Sequence, residues 1–144
     1  MKKILFAIAV VLSMSSYATD APVNEKVLTA FNAVFGYVKH VDWTERANEY
    51  EAYFKEASVV TRVRYDKEGN IVMSIRSYGE AQLPLLIQSK IKKAYPAMKV
   101  FGVTEISYNE ETQYEISLEG EKSWVILKSD ASGYLQVSKK FKKG

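Results

Sequence analysis

Residues 66–73, DKEGNIVM, and residues 130–137, DASGYLQV, are related stretches that begin 64 positions apart. Each opens with an aspartate that can accept hydrogen bonds from the local backbone, and each has a glycine three positions later that tolerates positive φ. Alternating apolar residues follow the glycine, as Ile71 and Met73 do in the first stretch. Both stretches therefore predict a hairpin turn that leads into a half-buried strand.

The two halves of the chain that contain these turns have the same order of predicted elements. A helix comes first in each half, and four strand-like segments follow it. The first helix is expected to start with Asp20 as its cap and Pro22 near its first turn, and the second is expected at residues 83–95. The predicted strands are residues 37–43, 50–55, 59–65, 71–76, 99–108, 112–118, 123–129 and 134–141.

The spacing of matching residues indicates an internal duplication. Tyr50-Glu51 and Tyr114-Glu115 share the 64-residue spacing of the turns, whereas the helix ends are 60 residues apart. We assign the difference to a longer loop at residues 109–112. The sequence predicts an α+β fold built by tandem duplication of a helix plus four-stranded antiparallel sheet unit, with repeats at residues 19–79 and 80–144.

The first 18 residues have the three-part layout of a secretory signal peptide. A cationic start, Met1-Lys2-Lys3, precedes an apolar run at residues 4–12 that is too short to span a bilayer as a helix. Ser16-Tyr17-Ala18 then places small side chains where a signal peptidase requires them. We predict cleavage after Ala18 and a periplasmic or secreted mature chain; the alternative for this segment is an N-terminal membrane anchor.

Composition narrows the classes of function. Cleavage would remove Lys2 and Lys3, which lowers the formal net charge from +3 to +1. A nearly neutral exported protein lacks the concentrated positive charge of a nucleic-acid binder, so no nucleic-acid partner is expected. The chain contains no cysteine, which excludes disulfides and lipid attachment through an N-terminal cysteine. No stable membrane span is expected after signal cleavage.

Groups suited to catalysis or metal binding are scarce. His40 is the only histidine, and it is predicted to share a strand face with Asp42. No nucleophile beside this pair can be identified, so an exposed histidine next to a charge is the preferred interpretation. With one histidine, no cysteine and scattered carboxylates, the chain shows no zinc pattern, and its aspartate–glycine turns are too short for EF-hand loops. We expect no catalytic residues, no metal and no cofactor.

A family resemblance rests on short motifs that are spread over nearly all of the mature chain. They are Ala33-Val34-Phe35, Val41-Asp42-Trp43, Tyr50-Glu51-Ala52-Tyr53-Phe54, Tyr65-Asp66-Lys67-Glu68-Gly69, Leu83-Pro84 and Ala94-Tyr95-Pro96. With the exported start, they resemble the β-lactamase-inhibitor-like, PepSY-like periplasmic proteins of Bacteroidota. The resemblance implies a tandem α+β fold, export and no known enzymatic activity. The inhibitor that gives the family its name grips an enzyme with the concave face of its sheet, but it is disulfide-bonded, unlike this chain.

Strand alternation divides the predicted sheet into a face packed on the helices and a face open to water. Tyr50, Met73 and Ile75 are assigned to the helix side. The opposite, basic and aromatic face carries the predicted partner-binding residues, which are Tyr53, Arg62, Arg64, Arg76, Tyr78, Trp124 and Lys128. Arginine and aromatic side chains are enriched at interface anchors, which favours a protein or peptide partner. The competing interpretation is an ordinary solvated face, and a bulge would exchange the two faces.

Three functions compete. The first is an exported, non-catalytic, inhibitor-like binding module that uses the open sheet face. The second is a periplasmic protein that binds a small amphipathic ligand or acts in envelope stress, which predicts a cavity lined by Phe31, Trp43 and Phe54. The third is an enzyme, which the missing catalytic groups disfavour. The sequence favours the binding module.

Overall fold

The computed structural model describes residues 22–144. The predicted signal peptide lies outside the described residues, as does the proposed cap Asp20. Helix α1 is Glu25–Phe35, and its N-cap is Asn24, whose side chain accepts a hydrogen bond at 2.8 Å from the backbone amide two positions later. Pro22 therefore lies two residues before the cap of the helix.

Eight antiparallel strands form one sheet in which each strand pairs with the next along the chain. The strands are β1 (Asp42–Arg46), β2 (Glu49–Glu56), β3 (Val59–Asp66), β4 (Ile71–Tyr78), β5 (Lys99–Tyr108), β6 (Glu111–Glu119), β7 (Ser123–Asp130) and β8 (Leu135–Lys142). A 3-10 turn (Glu80–Gln82) and helix α2 (Leu85–Ala94) connect β4 to β5. The α+β prediction is confirmed, and because β4 pairs with β5 the two halves share a single sheet.

The start of β1 differs from the prediction of a strand at residues 37–43. A turn closed by the Val38 amide on the Phe35 carbonyl, at 2.9 Å, occupies the beginning of this segment. The strand starts only at Asp42, and His40 lies exposed in the connection before it. The predicted strand face shared by His40 and Asp42 is therefore wrong.

A β-bulge near the start of β4 reverses the predicted alternation of this strand. Tyr65 pairs with Ile71, whereas Arg64 pairs with Met73. Val72 is consequently an extra residue with no partner of its own, and every later side chain of β4 moves to the other face of the sheet. The bulge has direct consequences for the predicted binding face.

Met73 and Ile75 lie on the open side of the sheet, opposite to their prediction, because they pair with outward residues of β3. Arg76 and Tyr78 lie on the helix side, and Tyr78 is buried. The assignment of Arg76 and Tyr78 to the open face is therefore wrong. Thr61 confirms the inversion, since it is buried on the helix side and pairs with Arg76.

Both helices pack on the same face of the sheet and form two apolar clusters. The first cluster lies under α1 and consists of Val27, Phe31, Tyr50, Ala52, Phe54, Val63 and Tyr65. The second lies under α2 and consists of Tyr78, Leu83, Ile87, Ile91, Val103, Tyr114, Ile116, Leu118, Val125 and Leu127. Between the two clusters the same face is polar.

The predicted cavity lined by Phe31, Trp43 and Phe54 is filled by the rings themselves. Phe31 is 3% exposed, and its ring centroid lies 5.2 Å from that of Trp43 and 5.7 Å from that of Phe54. Edge-on contacts of this kind are favourable beyond the area they bury. The space between α1 and the sheet is therefore close-packed at these residues.

The two aspartate–glycine turns adopt the same conformation. Gly69 and Gly133 have φ values of +88° and +79°. The Asp66 carboxylate accepts hydrogen bonds from the side chain and backbone of Asn70, which hold its pKa below the ordinary value. Hydrogen bonds from the Ser132 side chain and from nearby backbone amides lower the pKa of the second turn's aspartate in the same way. These turns are local structures, as the sequence predicts.

Candidate functional site

The face of the sheet that neither helix covers is called the open face here. Its central row crosses the strands through directly opposed residues: Tyr53, Arg62, Ile75, Ile106 and Gln113. Side chains that are directly opposed in antiparallel strands lie close enough to interact. The register therefore decides which predicted residues meet.

An apolar strip occupies the middle of the open face. Met73 lies opposite Tyr108, and Ile75 lies opposite Ile106, on the adjacent strands β4 and β5. Tyr108 is 49% exposed, and the other three are half-buried although no helix covers them. The apolar strip was missed by sequence reasoning, because the bulge at Val72 is what turns β4 outward.

One predicted site group does form beside the apolar strip. The Arg62 guanidinium stacks over the Tyr53 ring, 5.4 Å from its centroid, and Arg62 is exposed. Within residues 22–144 no carboxylate forms an ion pair with Arg62, so its charge is available to a partner. Arg64 lies on the same strand face, but it pairs with Glu49 at 3.3 Å and its guanidinium contacts the sulfur of Met73.

Carboxylates alternate with the cations of the open face, which is therefore not simply basic as predicted. Arg46 pairs with Glu51 at 3.5 Å, and Glu115 lies directly opposite Lys128. These glutamates come from neighbouring strands, so no run along the sequence reveals the pairing. On the open face of β2 and β3, the cations that form no ion pair within residues 22–144 are Lys55 and Arg62.

Trp124 and Lys128 lie on the open face but far from the first group. Both are on β7, four strands from Arg62 on β3, which corresponds to about 19 Å at ordinary strand spacing. The structure thus brings Tyr53, Arg62 and Arg64 together and separates Trp124 and Lys128 from them.

Trp124 belongs instead to a second exposed group, called the aromatic end and defined by Phe101, Trp124 and Phe141. Phe101 is the extra residue of a bulge in β5, and its ring centroid lies 5.0 Å from that of Trp124 in an edge-on arrangement. Phe141 lies directly opposite Trp124 on β8. Lys143 places its ammonium 5.1 Å from the centroid of the Trp124 ring. Sequence reasoning identified only Trp124, since the contact depends on the bulge.

On the helix side, a polar group fills the gap between the two apolar clusters. Arg76 pairs with Glu105 at 3.4 Å, and the Tyr78 hydroxyl donates a hydrogen bond to the same carboxylate at 2.5 Å. Burial and this hydrogen bond raise the pKa of Tyr78, and burial with the nearby Glu105 charge raises that of Tyr114. Arg76 and Tyr78 therefore hold one another and Glu105 in place between the helices.

A cleft of about 380 Å³ opens beside Arg76. Aromatic side chains of the α1 end, Phe35 and Tyr37, form one wall, and Phe54 and Thr61 of the sheet form the floor. The cleft combines apolar surface with the guanidinium of Arg76 and the carboxylate of Glu56, and small-ligand sites likewise join apolar surface to a few polar groups.

Metal ligands, the histidine and membrane spans are the other features of the described part of the chain that the sequence expectations concern. Residues 22–144 contain no group of three or more histidine, aspartate or glutamate side chains placed to hold a metal ion. His40, the sole histidine, is exposed in a connection. No helix within the same residues has the length and apolar character needed to cross a membrane.

A single eight-stranded antiparallel sheet with two helices on one face places the chain in the BLIP-like fold. It is similar in structure to a BLIP-like protein from Bacteroides fragilis, with a TM-score of 0.63 and 20% sequence identity over 86% of this chain and 90% of that one. A DUF2874 family protein from Bacteroides ovatus gives a TM-score of 0.59 and 17% identity over 82% of this chain and 86% of that one.

A third solved structure, from Bacteroides eggerthii, is described only provisionally as periplasmic; its TM-score is 0.59, with 15% identity over 85% of this chain and 90% of that one. No family model and no curated protein sequence matches the chain. At these identities the likeness shows the fold. The resemblance to β-lactamase-inhibitor-like proteins of Bacteroidota, drawn from the motifs, is confirmed at that level.

Proposed function

We propose that this chain is an exported, non-catalytic binding module that holds a protein or peptide partner on its open face, in an inhibitor-like manner. The observation that carries the proposal is the apolar strip, which lies uncovered on a sheet face beside an arginine with no ion-pair partner in the described chain. Contiguous exposed apolar surface rimmed by polar side chains is typical of interaction sites.

The size of the open face supports a protein-sized partner. Eight strands at about 4.8 Å spacing and about eight residues per strand at 3.3 Å give a surface of roughly 34 Å by 26 Å. That is close to the area of about 800 Å² that each partner contributes to a standard interface. The face is therefore large enough for a folded partner as well as for an extended peptide.

The chemistry of the partner follows from the side chains. Arg62 presents planar donors that suit a carboxylate, and Tyr53 supports it by stacking. The apolar strip suits an aliphatic or aromatic side chain next to that carboxylate. Arg64 is already paired with Glu49, so we assign it a supporting role in keeping the strand face ordered.

The test is affinity capture from a native envelope extract with two matched double variants. Arg62→Glu with Ile75→Ser changes the open face, and Lys93→Glu with Leu85→Ser makes the same kinds of change on exposed positions of α2. We expect the wild type and the α2 variant to retain the same discrete protein. We expect the open-face variant to lose at least tenfold of it while remaining folded, with a circular dichroism spectrum like that of the wild type. If the wild type and both variants capture equal amounts of this protein, the open face is not the partner-binding site.

Export is part of the same proposal. Its support is the layout of residues 1–18 together with a structural neighbour described provisionally as periplasmic. Mass spectrometry of the protein purified from its native cells should find Thr19 at the N-terminus. An intact Met1 on the purified protein would contradict cleavage.

We further propose that the fold arose by tandem duplication. The support is the way each turn meets its helix: Gly69 lies against Lys26 and Ala30, and Gly133 lies against Leu86 and Lys90. The helix positions differ by 60 residues and the turns by 64, which are the two spacings found in the sequence.

The second candidate function, binding of a small amphipathic molecule, is favoured by the cleft beside Arg76 rather than by the filled space under α1. Octanoate, which joins an apolar tail to a carboxylate, should then raise the melting temperature by a few degrees. The Arg76→Gln variant should lose this shift. An unchanged melting temperature of the wild type at millimolar octanoate would remove this alternative.

A further inference from the structure

The aromatic end exposes more apolar surface than a solvated strand terminus requires. Phe101 is 67% exposed and Phe141 is 51% exposed, and both flank Trp124 on the open face. The bulge at Phe101 directs an additional ring outward at this point. The result is a cluster of three rings at one end of β5, β7 and β8.

Lysines are the cations nearest to these rings. Lys99 and Lys139 lie on the same face of the sheet as Trp124, Lys143 contacts its ring, and Lys122 lies in the adjoining turn. Lys140 and Lys142 lie opposite helix-side residues of β7. The acidic residues here are Glu119 and Glu121, and Glu119 is already paired with Lys143 at 2.6 Å. The aromatic end therefore has a positive local charge, in contrast to the alternating charges around Arg62.

We propose that the aromatic end docks the protein peripherally on an anionic phospholipid surface. Aromatic rings prefer the region between lipid headgroups and acyl chains, and lysine stems extend along apolar surface while their ammonium groups reach the headgroups. Each lysine near an anionic bilayer adds to the electrostatic attraction.

The identity of the cations favours lipid over protein as the occupant. Protein interfaces are enriched in arginine and depleted in lysine. Every cation at the aromatic end is lysine, whereas arginines occur on the β3 part of the open face, at Arg62 and Arg64. The lysines of the aromatic end thus differ in chemistry from the arginines of β3, and β7 lies about 19 Å from β3 at ordinary strand spacing, so lipid docking does not depend on Arg62.

The test is co-sedimentation with vesicles of phosphatidylglycerol and phosphatidylethanolamine, and with phosphatidylcholine vesicles as the neutral reference. The protein is the exported form, with its N-terminus verified by mass spectrometry. Phe101→Ser with Phe141→Ser removes two rings of the aromatic end. Tyr37→Ser with Leu85→Ser removes side chains that are 67% and 81% exposed elsewhere and serves as the matched control.

We expect the wild type and the control to bind anionic vesicles, and the Phe101/Phe141 variant to bind at least tenfold more weakly with an unchanged circular dichroism spectrum. Salt at 0.5 M should weaken binding, because the attraction is screened. Trp124 emission should shift to the blue on binding, and Trp124→Phe should remove this shift. Equal vesicle binding by both double variants would overturn the proposal, as would binding of soluble polyglutamate with no binding to vesicles.

Discussion

The separation of a packed face from an open face predicts that two isoleucines on neighbouring strands differ sharply in their contribution to stability. Ile116 on β6 is 0% exposed under α2, whereas Ile106 on β5 is half-buried in the apolar strip with no helix above it. The same substitution, isoleucine to alanine, removes the same three carbons at both positions. Any difference therefore reports the surroundings and not the chemistry of the change.

The magnitudes follow from burial. Removing a fully buried isoleucine side chain beyond Cβ costs about 2–5 kcal/mol, including the cavity that remains. On the open face the lost burial is partial and no cavity forms, so Ile106→Ala should cost about 1 kcal/mol, much of it strand propensity. We expect a difference of at least about 1 kcal/mol between the two variants.

Equilibrium unfolding in urea, followed by tryptophan fluorescence, measures this difference. For a slope of about 2 kcal/mol per molar urea, Ile116→Ala should lower the midpoint by about 1–2.5 M and Ile106→Ala by about 0.5 M. Unchanged slopes would show that both variants unfold from the same native state. Equal midpoint shifts, or a larger shift for Ile106→Ala, would refute the assignment of the open face.

Three further predictions concern the turns and the α1 cluster. Gly69→Ala should cost about 1–2 kcal/mol in thermal unfolding and more than Gly133→Ala, since both glycines have positive φ but a Cβ at Gly69 would lie 2.9 Å from a helix carbonyl oxygen. The lowered pKa values of Asp66 and Asp130 contribute stability that is present above about pH 4 and is lost as pH falls through the folded-state pKa. Replacing both by asparagine should flatten the acid limb of the stability profile, and an unchanged acid limb would contradict this account. Burial raises the pKa of Tyr65 to about 12, and its hydroxyl has no hydrogen-bond partner within residues 22–144. Tyr65→Phe should therefore stabilise the fold by about 1 kcal/mol. It should also remove part of the loss of stability that occurs as pH rises above about 10. If the variant is instead less stable than the wild type, the Tyr65 hydroxyl has a hydrogen-bond partner in the native protein and this account is wrong.

The sequence was sufficient to predict the features that depend on residues close together in the chain, which are the turns and the helices. The turns at Asp66 and Asp130 form through hydrogen bonds within four positions, so their residue types are sufficient evidence. The helices follow from apolar spacing, although α1 begins later than expected because Asn24 provides the cap.

The phase of β4 could not be predicted, because residues 71, 72, 73 and 75 are all apolar and either face could be buried. Pairing with β3 and β5 selects the bulge at Val72, and this selection depends on contacts between distant parts of the chain. The same holds for the charges: Glu49 meets Arg64 only after β2 and β3 pair. Three of the seven predicted site residues consequently form a group, and two lie on the other face.

The central claim, that the open face holds a partner, is tested most directly by photo-crosslinking in the protein's native cells. A photoreactive amino acid at position 75 lies in the apolar strip, and one at position 85, where the native Leu85 is 81% exposed, lies on the outer side of α2. The account predicts a discrete protein adduct from position 75 that disappears with Arg62→Glu, and no such adduct from position 85. An adduct from position 85 alone, or one from position 75 that is indifferent to Arg62, would contradict it.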